Sequence, residues 1–283
     1  MWIWMALASA VLLGVYDVFK KKALKNNGVL WILFGATAIT TLIMSPFLSA
    51  GSARDHLMLV AKAAIVTVSW VSGLAALGQL PITTASTIKA TRPMIVVLFS
   101  IILFGEKLNA WQWAGVAIVI VSMFLLSRSS KKEGVDFATN KGVIYMLISV
   151  LSGAGSALYD KKIIASLEPL FVQSWTNLYI TLMLALVILC QWLFSKKSYV
   201  KFRWDWLILV IALFITVSDC LYFFAIKQEG SLLSVVSLLR RCSVIITFVL
   251  GAIVFKEHNI RSKAAVLTVL FAGMVLLMYG SSI

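Results

Sequence analysis

Apolar side chains dominate this chain in long runs that are separated by short polar segments. A helix of about 20 apolar residues spans the hydrocarbon core of a bilayer, which is roughly 30 Å thick. Runs of this length recur ten times along the chain. The pattern therefore predicts ten transmembrane helices, at residues 2–19, 29–48, 57–77, 82–104, 111–127, 141–159, 170–194, 206–226, 231–255 and 262–280.

The composition supports this prediction. Hydrophobic residues make up 61% of the 283 residues, charged residues make up 13%, and the mean hydropathy is +0.99. A soluble domain of this size needs a larger share of polar residues to cover its surface. We therefore expect an all-α integral protein of a bacterial inner (cytoplasmic) membrane. The longest connection, residues 128–140, is too short to form a soluble catalytic or nucleotide-binding domain.

Residue types that carry enzyme chemistry are sparse. The three cysteines, Cys190, Cys220 and Cys242, all fall in predicted helices, where a thiol usually packs as a small hydrophobe. The two histidines, His56 and His258, lie in different connections, so the sequence offers neither a metal-ligand cluster nor a Ser/His/Asp arrangement. We predict no enzymatic activity, no metal and no cofactor.

Several polar residues of the first half recur in the second half at a nearly constant distance. The aligned residues are Tyr16-Asp17 with Tyr159-Asp160, Arg92 with Arg241, and Glu106 with Glu257, at shifts of 143, 149 and 151 residues. We therefore divide the chain into a five-helix unit (residues 1–127), a linker (128–140) and a second five-helix unit (141–283). Because five is odd, the second unit begins on the opposite face of the membrane, so the two units are predicted to be inverted repeats.

One stretch of the first unit resembles a known family. From Ser86 to Leu108 the chain reads STIKATRPMIVVLFSIILFGEKL, with a mid-helix proline, an apolar run and then Gly-Glu. This stretch resembles the fourth helix of the EamA family in the drug/metabolite transporter superfamily. The second unit ends similarly in Phe255-Lys256-Glu257, although Cys242 replaces the proline. The resemblance implies two five-helix units and a transport function, and it does not identify a substrate.

Four cations inside predicted helices indicate where the function lies: Lys89, Arg92, Arg240 and Arg241. A charge near the bilayer centre costs several kcal/mol unless it has a partner, a water-filled cavity or a ligand. Lys89 and Arg92 are three residues apart and share one face of a helix. The repeat makes Arg92 and Arg241 symmetry mates, so we expect cations to converge on one central site from two sides. Pro93 removes a backbone donor beside them and is the predicted hinge.

Three interpretations of these cations stay open at this point. They could bind an anionic substrate, form a structural salt-bridge network with Asp219, Asp17 and Asp160, or surround a zwitterionic or neutral ligand. Within the same superfamily, the plastid phosphate translocators hold phosphate with a lysine on the fourth helix and a Lys-Arg pair on the ninth. Lys89 resembles the first and Arg240-Arg241 resembles the second, which favours a phosphorylated or carboxylated substrate.

Further polar and aromatic residues complete the predicted site. Asp219 is the candidate for proton coupling, since it lies well inside the eighth predicted helix. The remaining candidates for substrate contact are Tyr16, Tyr159, Trp70, Trp175, Asn177 and Tyr222. Glu106 and Glu257 are predicted to cap the helices that follow them rather than to carry protons.

The connections between helices are unevenly charged. Those after odd-numbered helices hold fifteen Lys and Arg residues and those after even-numbered helices hold six. Because cytoplasmic loops carry the excess of positive charge, we expect both termini to face away from the cytoplasm, although the resemblance implies the opposite for many EamA proteins. The net charge of +14 then indicates contact with anionic lipid headgroups rather than with nucleic acid.

These features predict a secondary transporter that moves a small organic anion by alternating access, coupled to protons or to a counter-substrate. The alternative within transport is an exporter of amino acids or amphipathic drugs. A flippase for a lipid-linked phosphate would use the same arginines for a headgroup. An intramembrane enzyme is disfavoured, because the sequence has no nucleophile, base or metal constellation.

Overall fold

The computed structural model describes residues 2–92, 94–95, 99, 109–131, 134–164, 166–194, 202–228, 239–240, 242–257 and 259–282. Within these residues the chain forms ten α-helices and one 3-10 turn, Ser45–Phe47. The helices are α1 (Trp2–Ala23), α2 (Val29–Met44), α3 (Ala53–Gln79), α4 (Ile82–Lys89), α5 (Ala110–Lys131), α6 (Lys141–Ile164), α7 (Pro169–Phe194), α8 (Trp206–Lys227), α9 (Ser243–Phe255) and α10 (Ile260–Ser282).

The helices agree with the apolar runs in position, and most extend beyond them. Seven helical segments are long and apolar enough to cross a membrane, and the segments Trp206–Tyr222 and Ser243–Phe255 are shorter apolar helices. The prediction of an all-α membrane protein is thus confirmed, while the count of ten complete spans stays a prediction. α1 continues through Lys20, Lys21 and Lys22 in its last turn. Lysine stems can lie along apolar surface while their amines reach polar groups, which allows such an extension.

The outer surface of the helices is apolar. Large side chains such as Trp4 (75% exposed), Leu42 (73%) and Leu57 (71%) point away from the protein. A water-facing surface rarely carries so many contiguous apolar side chains, whereas lipid tails accept them. The chain is an integral membrane protein by this criterion as well as by helix length.

The two units pack against each other in a pattern that is unchanged when the units are exchanged. α1 packs on α8 as α6 packs on α3, α1 packs on α9 as α6 packs on α4, and α2 packs on α8 as α7 packs on α3. The pairs α2 with α7, α4 with α9 and α5 with α10 contact their own counterparts. This exchange symmetry is what a two-unit architecture produces. The inverted orientation of the units in the membrane stays a prediction.

Two reciprocal serine pairs hold the exchanged helices together. Ser9 Oγ in α1 donates to Ser218 O in α8 at 2.8 Å, and Ser218 Oγ donates to Ser9 O at 3.0 Å. In the other half, Ser69 Oγ in α3 and Ser149 Oγ in α6 donate to each other's carbonyl at 2.8 and 2.6 Å. Small polar residues let helix backbones approach closely in lipid and satisfy their hydroxyls across the interface.

The helices that carry the predicted cations are interrupted beside those cations. α4 ends at Lys89, where Thr91 N bonds to Ile88 O at 3.0 Å in a turn. In the second unit, Cys242 N bonds to Leu239 O at 3.1 Å before α9 begins at Ser243. Interrupted helices near the midplane are a common feature of substrate sites in secondary transporters. Pro93, the predicted hinge, lies outside the described residues.

Candidate functional site

An ion pair between α1 and α4 lies at the first predicted cation. Lys89 Nζ donates to Asp17 Oδ2 at 2.5 Å. The side chain of Asp17 is 8% exposed, but that of Lys89 is 36% exposed even though its neighbours Ile88 and Ala90 are buried. Lys89 therefore reaches an accessible space inside the helical assembly. The second oxygen, Asp17 Oδ1, is buried and has no hydrogen-bond partner.

A further cation lies next to this pair. The side chain of Lys20 is buried, and its Nζ lies over the Tyr16 ring, 4.6 Å from the centroid. A cation over an aromatic face is stabilised by the ring quadrupole, more strongly when water is excluded. Both Lys20 and Arg92 lie within electrostatic range of Lys89. Lys20 and Arg92 thus add two cations beside the Lys89–Asp17 pair.

The second unit contributes a similar arrangement. Arg240 Nη2 donates to Asp219 Oδ1, and the guanidinium lies over the Tyr222 ring at 4.2 Å. The side chains of Arg240 and Asp219 are 21% and 20% exposed. The structure therefore brings together three residues that the sequence pattern selected separately.

Tyr16 links the two ion pairs, because it lies within electrostatic range of both Asp17 and Asp219. The described part of this region, here called the central cluster, holds four cations and two carboxylates. Its members are Tyr16, Asp17, Lys20, Lys89, Arg92, Asp219, Tyr222 and Arg240. A region inside a membrane protein that combines this charge with partial exposure is suited to a ligand of negative charge.

The Arg92 guanidinium lies against α6 at Gly153, a residue that has no side chain. Its Nη2 is 3.5 Å from Ser149 O, and a Cβ atom at residue 153 would overlap the guanidinium. Gly153 therefore sets how closely the cation approaches α6. A Cβ atom at Gly155, two residues further on, would meet nothing within 4 Å.

Gly153→Ala is expected to weaken the binding of an anionic ligand to the central cluster while changing the melting temperature little. The Arg92 side chain is flexible enough to move aside, but the move displaces its charge. Gly155→Ala is the matched control, since it adds the same methyl group in the same helix without a contact. Thermal-shift titration of both variants checks this. Equal binding by the two variants would show that the position of Arg92 is unimportant.

At one end of the central cluster, Glu257 joins the two units. Its carboxylate accepts hydrogen bonds from the backbone N–H groups of Ile82 and Thr83 at 2.6 and 3.0 Å, from the Thr83 hydroxyl, and from Lys21 Nζ at 3.1 Å. Lys21 Nζ also donates to Leu80 O at 2.9 Å. An anion is stabilised at the N-terminus of a helix, because the first N–H groups have no partner within the helix.

The environment of Glu257 favours its ionised form. Burial raises the pKa of its carboxyl, but the hydrogen bonds from Thr83 and Ile82 and the charge of Lys21 outweigh burial and hold the pKa below its ordinary value. The buried amine of Lys263 donates to the Thr83 hydroxyl at 2.9 Å and completes this network. The network, here called the end clasp, ties α1, α4 and the α9–α10 connection together.

The model of the EamA-like transporter family matches residues 1–128 and again residues 140–279. These two segments account for nearly the whole chain. The chain belongs to the EamA-like transporter family. Among solved structures, one crystal structure is similar over 98% of this chain and 96% of its own, with a TM-score of 0.63 at 17% identity. At this identity the likeness shows the fold alone. No curated protein matches the chain.

Not every residue predicted for the site of this EamA protein joins the central cluster. Asp160 pairs with Lys62 at 2.7 Å rather than with one of the four predicted cations. Asn177 donates to Gln173 O of its own helix at 2.9 Å. Tyr159 and Trp175 pack in a separate group around Phe171, and Trp70 is partly buried against the main core. Arg241 lies outside the described residues, as does Glu106.

Some charged residues of the central cluster and the end clasp are not predicted from the sequence. Lys20 and Lys21 follow the first apolar run and Lys263 lies at the start of the last one, yet each takes part in buried or half-buried contacts. Glu257 caps α4, not the following helix α10 as predicted. Among the described residues no group of His, Cys, Asp and Glu could hold a metal ion.

Proposed function

We propose that this EamA protein is a secondary transporter that moves a small organic anion, phosphorylated or carboxylated, by alternating access. The observation that carries the proposal is the excess of cations over carboxylates in the central cluster, together with the 36% exposure of Lys89. A cation in a membrane interior that is still accessible to solvent can exchange one negative partner for another. A purely structural salt-bridge network requires neither an excess of cations nor solvent access to Lys89.

The two ion pairs support this role. With no substrate bound, Asp17 and Asp219 neutralise Lys89 and Arg240, which limits the desolvation penalty of the empty site. An anionic substrate competes with these carboxylates for the same donors. Arginine offers a planar fork that binds carboxylate or phosphate with two parallel hydrogen bonds.

Asp219 is the proposed coupling residue. Its ion pair with Arg240 requires the ionised carboxylate, so a proton on Asp219 weakens the pair and frees Arg240 for the substrate. Proton binding and anion binding then favour each other, as coupled transport in the same direction requires. Exchange against a counter-substrate is the alternative means of coupling.

One observation favours the second candidate, export of amino acids or amphipathic amines. The buried Asp17 Oδ1 has no hydrogen-bond partner, and an ammonium group would supply one. Leaving a buried acceptor unpaired costs about 1–3 kcal/mol. An amino acid would present its carboxylate to the cations and its ammonium to Asp17.

Replacement of Arg92 tests the anion site. Arg92→Gln removes a charge-assisted interaction, so we expect about a 10- to 150-fold loss in affinity for the anion, equivalent to roughly 1.5–3 kcal/mol. Arg92→Lys keeps the charge but loses the fork, so its affinity should fall between the two. The ligand is first found by thermal shift against a metabolite library, because a ligand that binds only the folded state raises stability.

The matched control is Arg128→Gln, because Arg128 is exposed at the end of α5 and lies over Phe124, away from the central cluster. It should leave affinity unchanged. If Arg92→Gln keeps full affinity but loses much of the thermal stability, the arginine is structural and the proposal is wrong.

A further inference from the structure

Two polar side chains at the start of α7 are buried without hydrogen-bond partners. Gln173 is 5% exposed, and neither its amide nitrogen nor its amide oxygen has a partner. Thr176 is 6% exposed, and its hydroxyl also has none. Nearly all buried polar groups in proteins are paired, and an unpaired amide in an apolar interior is destabilising. These three unused atoms therefore need an explanation.

The neighbouring polar residues of α7 are satisfied, so the feature is local. Ser174 donates to Phe47 O at 3.2 Å, Asn177 donates to Gln173 O at 2.9 Å, and Thr181 donates to Asn177 O at 2.9 Å. These hydrogen bonds are made to carbonyl groups of α7 itself or of the 3-10 turn. Within the part of α7 that the structure describes, the buried side chains left with unused donors and acceptors are those of Gln173 and Thr176.

The face of α7 that carries Gln173 and Thr176 points into the protein. On α7, Val172 packs against Leu59 of α3, and Thr181 meets Thr41 of α2 at 3.2 Å. Gln173 lies about 100° around the helix from Val172, and Thr176 lies between them. Gln173 and Thr176 lie on one helical stripe with Ile180 and Leu184, at spacings of three and four residues. Ile180 and Leu184 of this stripe belong to the main core, as do Tyr16, Ile211 and Ile215.

The stripe shares a buried core with the central cluster. Ile211 and Ile215 belong to α8, and Asp219 and Tyr222 follow Ile215 by one and two turns on the same helix. Tyr16 of the central cluster belongs to the same core. The stripe that carries Gln173 and Thr176 therefore belongs to the same buried core as Tyr16 of the central cluster.

We propose that Gln173 and Thr176 form a neutral polar arm of the substrate site, which hydrogen-bonds to a hydroxyl, carbonyl or amide group of the transported anion. This inference rests on the proposed function. It narrows the substrate class to a polar organic anion that carries such a group, as distinct from a bare inorganic anion or an apolar carboxylate. A site built to hydrogen-bond a substrate group rejects analogues that lack it, because its own polar atoms are then left unpaired.

Thiol labelling tests the arm without a known substrate. Gln173→Cys and Thr176→Cys are made in a background in which Cys190, Cys220 and Cys242 are replaced. The probe is 2-sulfonatoethyl methanethiosulfonate, which is itself a small organic anion. Lys89→Cys is the positive control in the central cluster, and Val172→Cys, adjacent in sequence but packed against Leu59, is the negative control.

We expect labelling at residues 173, 176 and 89 and none at 172. Labelling at 89 without labelling at 173 and 176 overturns the arm and leaves the proposed function intact. Absence of labelling at residue 89 overturns the proposed function. If residues 173 and 176 are labelled and residue 89 is not, the two residues are separate from the anion site, and the polar arm as proposed is wrong as well.

A stability measurement distinguishes a Gln173 amide that is kept for the substrate from one that stabilises the fold. Gln173→Leu keeps the approximate volume and removes the unpaired amide, so we expect the melting temperature of the ligand-free protein to rise by a few degrees. Thr37→Val is the matched control for removal of a polar group, because the Thr37 hydroxyl is bonded to Leu33 O of its own helix at 2.9 Å. A lower melting temperature for Gln173→Leu would show that the amide has a structural partner, and the proposal would be wrong.

Discussion

Asp17→Asn is expected to lower the stability of the folded protein by about 3 kcal/mol, near the lower end of what the loss of one partner from a buried ion pair costs. The lower end applies because Lys89 is 36% exposed, so water stabilises part of its charge once Asp17 is neutral. The physical cause is the uncompensated lysine charge rather than the lost bond. Thermal unfolding of the purified protein in detergent measures the effect.

The double variant Asp17→Asn/Lys89→Gln separates stability from function. Removal of both charges leaves no uncompensated ion, so we expect most of the stability to return. Anion binding should not return, because Lys89, the proposed substrate contact, is absent. The Lys62–Asp160 pair, which lies outside the central cluster, is the matched control. Its double variant should recover stability and keep anion binding. Full transport by Asp17→Asn/Lys89→Gln would show that this pair is only structural.

Replacement of Glu257 is expected to have the second large effect. Glu257→Ala removes the partner of two backbone N–H groups at the start of α4 and of the Lys21 amine. A lost cap costs about 1 kcal/mol and a lost charge-assisted bond about 1.5–3 kcal/mol, so a total near 3 kcal/mol is expected. Glu257→Gln keeps one acceptor and should be less harmful. Thermal unfolding at neutral pH gives both values.

The same residue makes stability depend on pH. Because the folded-state pKa of Glu257 is lowered, its contribution is present above the ordinary pKa of 4.5 and is lost as the pH falls through the lowered folded-state value. Glu257→Gln should lack this part of the acid sensitivity. Asp136→Asn, in the exposed connection before α6, is the control and should behave as the wild type. An unchanged acid profile in Glu257→Gln would contradict the role of the carboxylate.

The end clasp also bears on transport. It joins α1 and α4 of the first unit to the α9–α10 connection of the second. If the units move against each other during transport, these bonds must break. Loss of Glu257 should therefore favour the state in which the end clasp is open.

The sequence predicts the helices well because their length is set by the bilayer. Apolar runs begin within a few residues of the observed starts of α1, α2 and α6, for example. The charges of the site were also recognisable, since Lys89 and Arg240 interrupt runs that contain almost no other charge. Both lie in the central cluster of the folded chain.

Tertiary partners could not be predicted in the same way. Lys20 follows the first apolar run and Lys263 lies at the start of the last one, as ordinary interfacial lysines do, and only the folded chain shows that both are buried. Glu257 precedes α10 in sequence, but the helix terminus that it caps belongs to α4, 175 residues away. The pairing of Ser149 with Ser69, which matches that of Ser9 with Ser218, is likewise visible only in the folded chain. Sequence spacing does not encode such contacts.

Uptake by proteoliposomes tests the central claim most directly. Purified protein is reconstituted, and entry of isotope-labelled glycerol 3-phosphate, malate, an amino acid and an amphipathic cation is compared between the wild type and Lys89→Gln. The account predicts saturable uptake of a phosphorylated or carboxylated anion that Lys89→Gln abolishes. Uptake of the cation alone, unaffected by the loss of Lys89, would contradict it.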